Sequence, residues 1–102
     1  MLNQFSRTEL LFGKEAMERL SKARIAVFGI GGVGGFAAEA LVRSGIQNID
    51  LIDDDKVCLT NLNRQIIALH SSIGKYKVDV MKERILDINP SASVNVFKCF
   101  YL

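Results

Sequence analysis

RIAVFGIGGVGGFAAEALVRSGIQNIDLIDDD, residues 24 to 55, is the stretch whose reading decides the fold. It opens on an apolar run, Ile25-Ala26-Val27-Phe28, short and apolar enough for a strand buried on both faces. Seven residues follow, Gly29-Ile30-Gly31-Gly32-Val33-Gly34-Gly35, five of them glycine. The pattern then predicts a helix over 33–44, stopped by Gly45. A second apolar run, Ile49-Asp50-Leu51-Ile52, ends in Asp53-Asp54-Asp55. Strand, glycine turn, helix, strand and acid, in that order, form a mononucleotide-binding βαβ unit.

Each part has a physical task. Gly29 and Gly31 let the chain turn tightly and let a phosphate approach bare backbone, and Gly34 lets the helix close on the strand. The helix start offers unpaired N–H groups and a partial positive charge, both suited to an anion. Asp53 stands about 20 residues beyond the glycines, where a ribose-binding acid is expected. GxGxxG alone is a weak signal; here it follows a strand pattern, opens a helix and is answered by an acid. The plain alternative is that the glycines only shape a turn.

The chain has 102 residues, enough for one domain. Hydrophobic residues make up 49%, which points to a globular chain, and a formal net charge of +2 is too small to argue for nucleic acid. No apolar run has the length of a membrane span, and the amino terminus lacks a signal-peptide core. The two cysteines, Cys58 and Cys99, form neither a CxxC pair nor a secreted framework and read as packing residues in a reduced, cytoplasmic protein. About three strands are visible, so the expected class is α/β: a Rossmann-like mononucleotide-binding half of about three parallel strands with flanking helices. The apolar tail from Phe97 to Leu102 reads as a chain cut inside a larger domain. That predicts an unpaired inner edge on the first strand, with this edge or the carboxyl tail covered by another copy of the chain.

Outside the βαβ unit the signals are local. Ser6 or Thr8 is expected to cap a short helix ended by Gly13, with a second helical piece over 14–21. Arg7 lies in a segment with no strand to join, and by composition it is a solvated arginine at a mobile end. In the first long helix Val33, Ala37, Ala40, Leu41 and Ser44 recur at helical spacing as its core face. Asn61, Asn63, Arg64 and Gln65 cluster beyond the carboxyl end of the second strand, where ligands of open α/β sheets sit. There an arginine can fork onto phosphate and amides can bind ribose or phosphate oxygens; a polar surface loop is the equal alternative. His70, the lone histidine, suits capping or packing better than metal. Of the three aspartates, one serves ribose, although carboxylates also suit magnesium. A helix led by Lys75 and Lys77 carries Val78, Met81, Ile85 and Ile88 as its buried stripe and stops at Pro90; residues 93–97 alternate as a third strand. A lysine in a first helical turn opposes the dipole, so Lys75 or Lys77 gains from a nearby phosphate.

Taken together, GIGGVGG, LIDDD, TNLNRQ and GKYKVD resemble the ubiquitin-activating-enzyme-like adenylyltransferases, which include enzymes that adenylate sulfur-carrier proteins. Residues 6 to 46 are similar nearly end to end to the start of one branch, the bacterial tRNA threonylcarbamoyladenosine dehydratases, and the resemblance covers essentially the whole chain as the amino-terminal part, 1–102, of such a domain. It implies an ATP site. Gly29, Gly31, Gly32 and Gly34 match the phosphate loop; Asp53, with Asp55 beside it, matches the ribose acid; Asn61, Arg64, Gln65 and Lys77 match the polar set around ribose and phosphates. Arg7 matches an arginine that reaches the partner subunit's site, which implies a homodimer and places Arg7, Arg64 and Lys77 in the catalytic set.

The implied reaction is acyl activation. A carboxylate attacks the α-phosphate of ATP, giving an acyl-adenylate and pyrophosphate, with magnesium as Lewis acid. In that branch the acid belongs to tRNA carrying threonylcarbamoyladenosine, and the carbamoyl group then closes a ring. Partners implied are that tRNA and, in this superfamily, a sulfur-donor protein. The family's magnesium-binding aspartate, and the cysteine some members carry, would fall after Leu102, so no metal ligand is assigned here and weak or no turnover is expected of the 102-residue chain. The other readings are an adenylyltransferase of a sulfur-carrier protein, a non-catalytic nucleotide-binding or dimerisation module, and an NAD oxidoreductase.

Overall fold

Three parallel strands make one sheet in the order β1-β2-β3: β1 (Arg24–Phe28), β2 (Asn48–Ile52) and β3 (Ser93–Phe97). The structure is a computed structural model that describes residues 3–100. Three helices flank the sheet: α1 (Ser6–Lys22), α2 (Gly32–Ser44) and α3 (Lys77–Ile88), with short 3-10 turns at Leu59–Asn61 and His70–Ser72. Arg24 pairs with Asn48 and Phe28 with Ile52; Asn48 in turn pairs with Ser93 and Ile52 with Phe97. This is the expected α/β half, and its strand order is one arm of a doubly wound sheet.

As the middle strand, β2 is the most enclosed. Ile49 and Leu51 are fully buried, against Ala38 and Val42 of α2 and Val78, Met81 and Ile85 of α3. Each such side chain removed from water contributes about 1.5–3 kcal/mol. α2 ends where glycine permits it: Gly45 sits at φ 125°, and the Ile46 N–H reaches the Leu41 carbonyl at 3.1 Å. α3 stops at Asn89, whose side-chain oxygen accepts the Ser91 N–H at 3.1 Å just past Pro90, and β3 begins at Ser93.

Several expectations are corrected. β1 is not buried on both faces. Among the described residues it pairs only with β2, and of its five residues only Val27 is buried. The core face of α2 is Gly35, Ala38 and Val42, whereas Val33 is 86% exposed and Ala40 and Ser44 lie outside. α2 is apolar on two sides, and the glycines select the side that meets the sheet. Neither Ser6 nor Thr8 caps α1; the Ser6 hydroxyl instead accepts the Asn3 N–H at 2.7 Å. Gly13 does break α1, at φ 85°, ψ 164°. Cys58 and Cys99 are both exposed, so neither is a packing residue. His70 is exposed in its 3-10 turn, and capping there falls to the Ser72 hydroxyl, which accepts the Leu69 N–H at 2.9 Å. No helix among the described residues is long and apolar enough to cross a membrane.

Candidate functional site

The glycine bend is built where β1 and β2 end side by side. Gly29 adopts φ 87° and donates its N–H to the Ile52 carbonyl at 2.8 Å, which ties the turn to the last residue of β2. α2 then starts so close that a Cβ on Gly34 would stand 1.7 Å from the Gly29 carbonyl oxygen. No side chain fits there. Gly34 is therefore a packing glycine and does not line the site. α2 opens with no acid in its first turn and no capping side chain, so its first N–H groups are left for an anion.

Asp53 lies one residue past β2 and is 7% exposed. One carboxylate oxygen accepts the Ile30 N–H at 2.7 Å, and the other accepts the Asp55 N–H at 2.9 Å. The carboxylate thus ties the glycine bend to the β2 end. Each oxygen keeps a lone pair that can receive a hydroxyl hydrogen. Asp54 and Asp55 are exposed, and the three carboxylates bring one oxygen each within 4.8 Å of one another.

Lys77, the first residue of α3, is delivered to the same place by its own backbone: its N–H donates to the Asp55 carbonyl at 3.0 Å. Its side chain is only 8% exposed, and its Nζ is 3.9 Å from an Asp55 oxygen, with Asp55 itself 69% exposed. A buried ammonium with one long contact is expensive unless another anion approaches. The fold thus holds a cation in place for one.

Gly29, Gly31, Asp53, Asp55 and Lys77 line one cavity of about 360 Å3, together with Asp54 and Phe100. Gln65 stands behind the bend. Its amide nitrogen is 3.3 Å from where a Cβ on Gly31 would be, and its Oε1 is buried with no hydrogen-bond partner. An orphaned buried acceptor costs about 1–3 kcal/mol, which suits a site completed by a ligand or a water. Gly32 and Arg64 line an adjoining apolar hollow with Phe36. Arg64 is exposed there, donating to the Thr60 carbonyl and the Asn63 side-chain oxygen, both at 3.0 Å.

Two expected residues sit apart from the cavity and one does local work. Arg7 is exposed on α1 and lines neither hollow. Lys75 faces a separate cavity beside the His70–Ser72 turn, which leaves Lys77 as the lysine of the site. Asn61 is buried, and its side-chain oxygen accepts the Cys58 N–H at 2.8 Å, closing the 3-10 turn that presents Arg64 and Gln65. Sequence reasoning missed Phe100. Its available signal was an aromatic residue just past the carboxyl end of β3, the side of the sheet where ligands bind.

A family model described as the ThiF family matches residues 5–100. The chain is 57% identical over 101 residues to a tRNA threonylcarbamoyladenosine dehydratase of Bacillus subtilis, covering 99% of this chain and 40% of that protein. It is 52% identical over 97 residues to the Escherichia coli protein of the same name, covering 95% and 36%. The crystal structure of the E. coli tRNA N6-threonylcarbamoyladenosine dehydratase in complex with ATP superposes with a TM-score of 0.93 at 52% identity, covering 95% of this chain and 40% of that one. The chain therefore spans about 40% of the length of these relatives.

Proposed function

The chain belongs to the ThiF family, and from that premise we propose that it carries the nucleotide-binding half of an ATP-dependent tRNA threonylcarbamoyladenosine dehydratase. Residues 1–102 form the amino-terminal part of the adenylating domain in this reading. The carrying observation is the single cavity that gathers glycine backbone, Asp53 and a buried Lys77. The observed chemistry fits a nucleoside triphosphate: Gln65 has an orphaned acceptor, Lys77 an under-paired charge, and the start of α2 uncapped N–H groups.

When bound, ATP would supply an α-phosphate for attack by the threonyl carboxylate of the modified tRNA, with pyrophosphate leaving; ring closure by the carbamoyl group would then displace AMP, so the water formally lost from the tRNA is taken up in the cleavage of ATP to AMP and pyrophosphate. The residues of this chain supply electrostatics and position. Backbone N–H groups at Gly31, Gly32 and the first turn of α2 face the phosphates, and Lys77 neutralises charge that builds on them. Arg64 swings from its loop carbonyl to a phosphate oxygen, as its planar fork allows. Asp53 receives ribose hydroxyls on its remaining lone pairs, and Asp55 keeps Lys77 in place. Magnesium travels with the triphosphate and adds Lewis-acid help; no ligand to it is assigned among these residues.

We also propose a homodimer in the cytoplasm, in which Arg7 of one copy reaches the other's site. What supports it is an α1 without buried residues, on which Leu10, Leu11 and Phe12 are exposed, and a β1 that pairs with β2 alone among the described strands. The test is ATP–pyrophosphate exchange by the full-length protein. Exchange should require tRNA carrying threonylcarbamoyladenosine and fall at least 100-fold in Lys77→Met. Exchange that instead requires the carboxyl terminus of a sulfur-carrier protein would replace this substrate with that one.

A further inference from the structure

Among the described residues three lysines meet a carboxylate, and two of them do so closely. Lys22 lies 2.9 Å from Glu18 and Lys98 lies 2.9 Å from Asp79, with all four side chains open to solvent. The third pair is loose. Lys77 Nζ stays 3.9 Å from the Asp55 oxygen, beyond the roughly 2.7–2.9 Å of a charge-assisted hydrogen bond, although Lys77 is the buried lysine of the three. The two partners are also held differently. The Asp55 backbone is fixed on both sides: its N–H donates to Asp53 at 2.9 Å, and its carbonyl accepts the Lys77 N–H at 3.0 Å. Its carboxylate is exposed and makes no side-chain hydrogen bond among the described residues. Taking that carboxylate away from Lys77 therefore needs a side-chain rotation and no movement of the fold. Lys77 cannot follow, because its side chain is enclosed and α3 begins at it.

We propose that Asp55 is a displaceable counter-ion for Lys77 and not a ligand of the nucleotide. It holds the Lys77 ammonium toward the cavity while no phosphate is there, yields it to an arriving polyphosphate, and takes it back as pyrophosphate departs. The proposal rests on the phosphate-binding reading above and extends it from capture to release. An entering phosphate brings more negative charge to a place where Asp53, Asp54 and Asp55 already bring one oxygen each within 4.8 Å of one another. Asp53 cannot give way, since both its oxygens accept backbone N–H groups. Asp55 can, and it is the acid that faces the lysine. The consequence is a site that grips polyphosphate less tightly than Lys77 alone would, because each binding event first breaks an ion pair and each release re-forms it. Asp55 is thus a positioning residue that acts through Lys77.

The experiment is calorimetric titration of the full-length protein with ATP and with pyrophosphate, pyrophosphate release being followed by stopped flow. The variants are Asp55→Asn, Asp55→Ser, Lys77→Met and the double variant Asp55→Asn with Lys77→Met. Asp55→Asn and Asp55→Ser should each bind both ligands about two- to fivefold more tightly, the scale of one partly exposed ion pair. Pyrophosphate should leave them more slowly by a similar factor. An acid that served only the fold would give no such gain on removal. Lys77→Met should bind both ligands about tenfold more weakly, as loss of a charged partner predicts. In that background Asp55→Asn should add nothing, because no cation is left to free. Unchanged or weaker binding in Asp55→Asn would overturn the proposal, weaker binding by making the carboxylate a ligand. A gain as large in the Lys77→Met background as in wild type would also overturn it, by making Asp55 a source of through-space repulsion. Both results leave the ATP site in place. Wild-type protein that binds neither ATP nor pyrophosphate, or Lys77→Met that binds both as wild type does, would overturn the phosphate-binding reading, and this proposal with it.

Discussion

Gly34 shows how a single residue can be required for a reason its motif does not state. Its place in the glycine run was legible, and so was close helix–strand approach. The degree was not, because spacing carries no distances: a Cβ would meet the Gly29 carbonyl oxygen at 1.7 Å, backbone against backbone. Gly34→Ala must push α2 off the bend. Overpacking of this kind costs about 1–3 kcal/mol or more, and urea denaturation should record that loss together with weakened ATP binding. Asp53 is similar. Its distance from the glycines marked it as a ribose acid, but its bonds to the N–H groups of Ile30 and Asp55 were invisible in a linear reading. Asparagine offers one acceptor oxygen where the carboxylate offers two. Asp53→Asn should therefore lose about 1–3 kcal/mol of stability, the cost of one unsatisfied buried N–H, before any nucleotide is added. Stability equal to wild type would show that the brace is idle.

At the scale of elements, strand and helix identities came from periodicity, and the buried face of α3 came with them. The buried face of α2 did not, since its apolar residues occupy two sides and only packing decides between them. α2 and α3 are joined outside the core by an ion pair that no local pattern shows. Arg84 donates to Glu39, which also lies 3.3 Å from Arg43. The Arg84 hydrogen bond holds the Glu39 carboxyl below its ordinary 4.5, against the opposing effect of burial. Asp50 is likewise held below 3.8, first by the bidentate Arg24 contact at 2.8 and 2.9 Å and then by Asn95. A depressed carboxyl binds fewer protons folded than unfolded. Its stabilisation is full above the unfolded value and drains away as pH falls through the folded one. The chain should thus lose stability as pH drops from about 4.5. Glu39→Gln should flatten that slope, measured by thermal melts between pH 3 and pH 6, on the order of the range where carboxylates titrate.

For the whole molecule, the sheet order β1-β2-β3 puts β2 at the centre and leaves β1 paired on one side among the described residues. β1 is thus an edge of the sheet formed by the described strands, and its cover by a second copy belongs to the proposed dimer. The site followed from the order of elements more fully than from any motif. Parallel pairing of β1 and β2 brings the glycine bend and Asp53 side by side at the strands' carboxyl ends, and the backbone bond from Lys77 to Asp55 brings the start of α3 to the same cavity. Arg64 and Arg7 are among the expected residues that lie outside the cavity lining; in the proposed function one swings in and the other comes from a second copy. The central claim is that the glycine bend and Lys77 together grip a nucleoside triphosphate. The most direct measurement is an ATP titration of the isotopically labelled chain, read by backbone amide NMR. Shifts should concentrate at Gly31, Gly32, Asp53 and Lys77, and the affinity should fall at least tenfold in Lys77→Met. ATP binding that leaves those amides unmoved, or that survives Lys77→Met intact, would contradict the account.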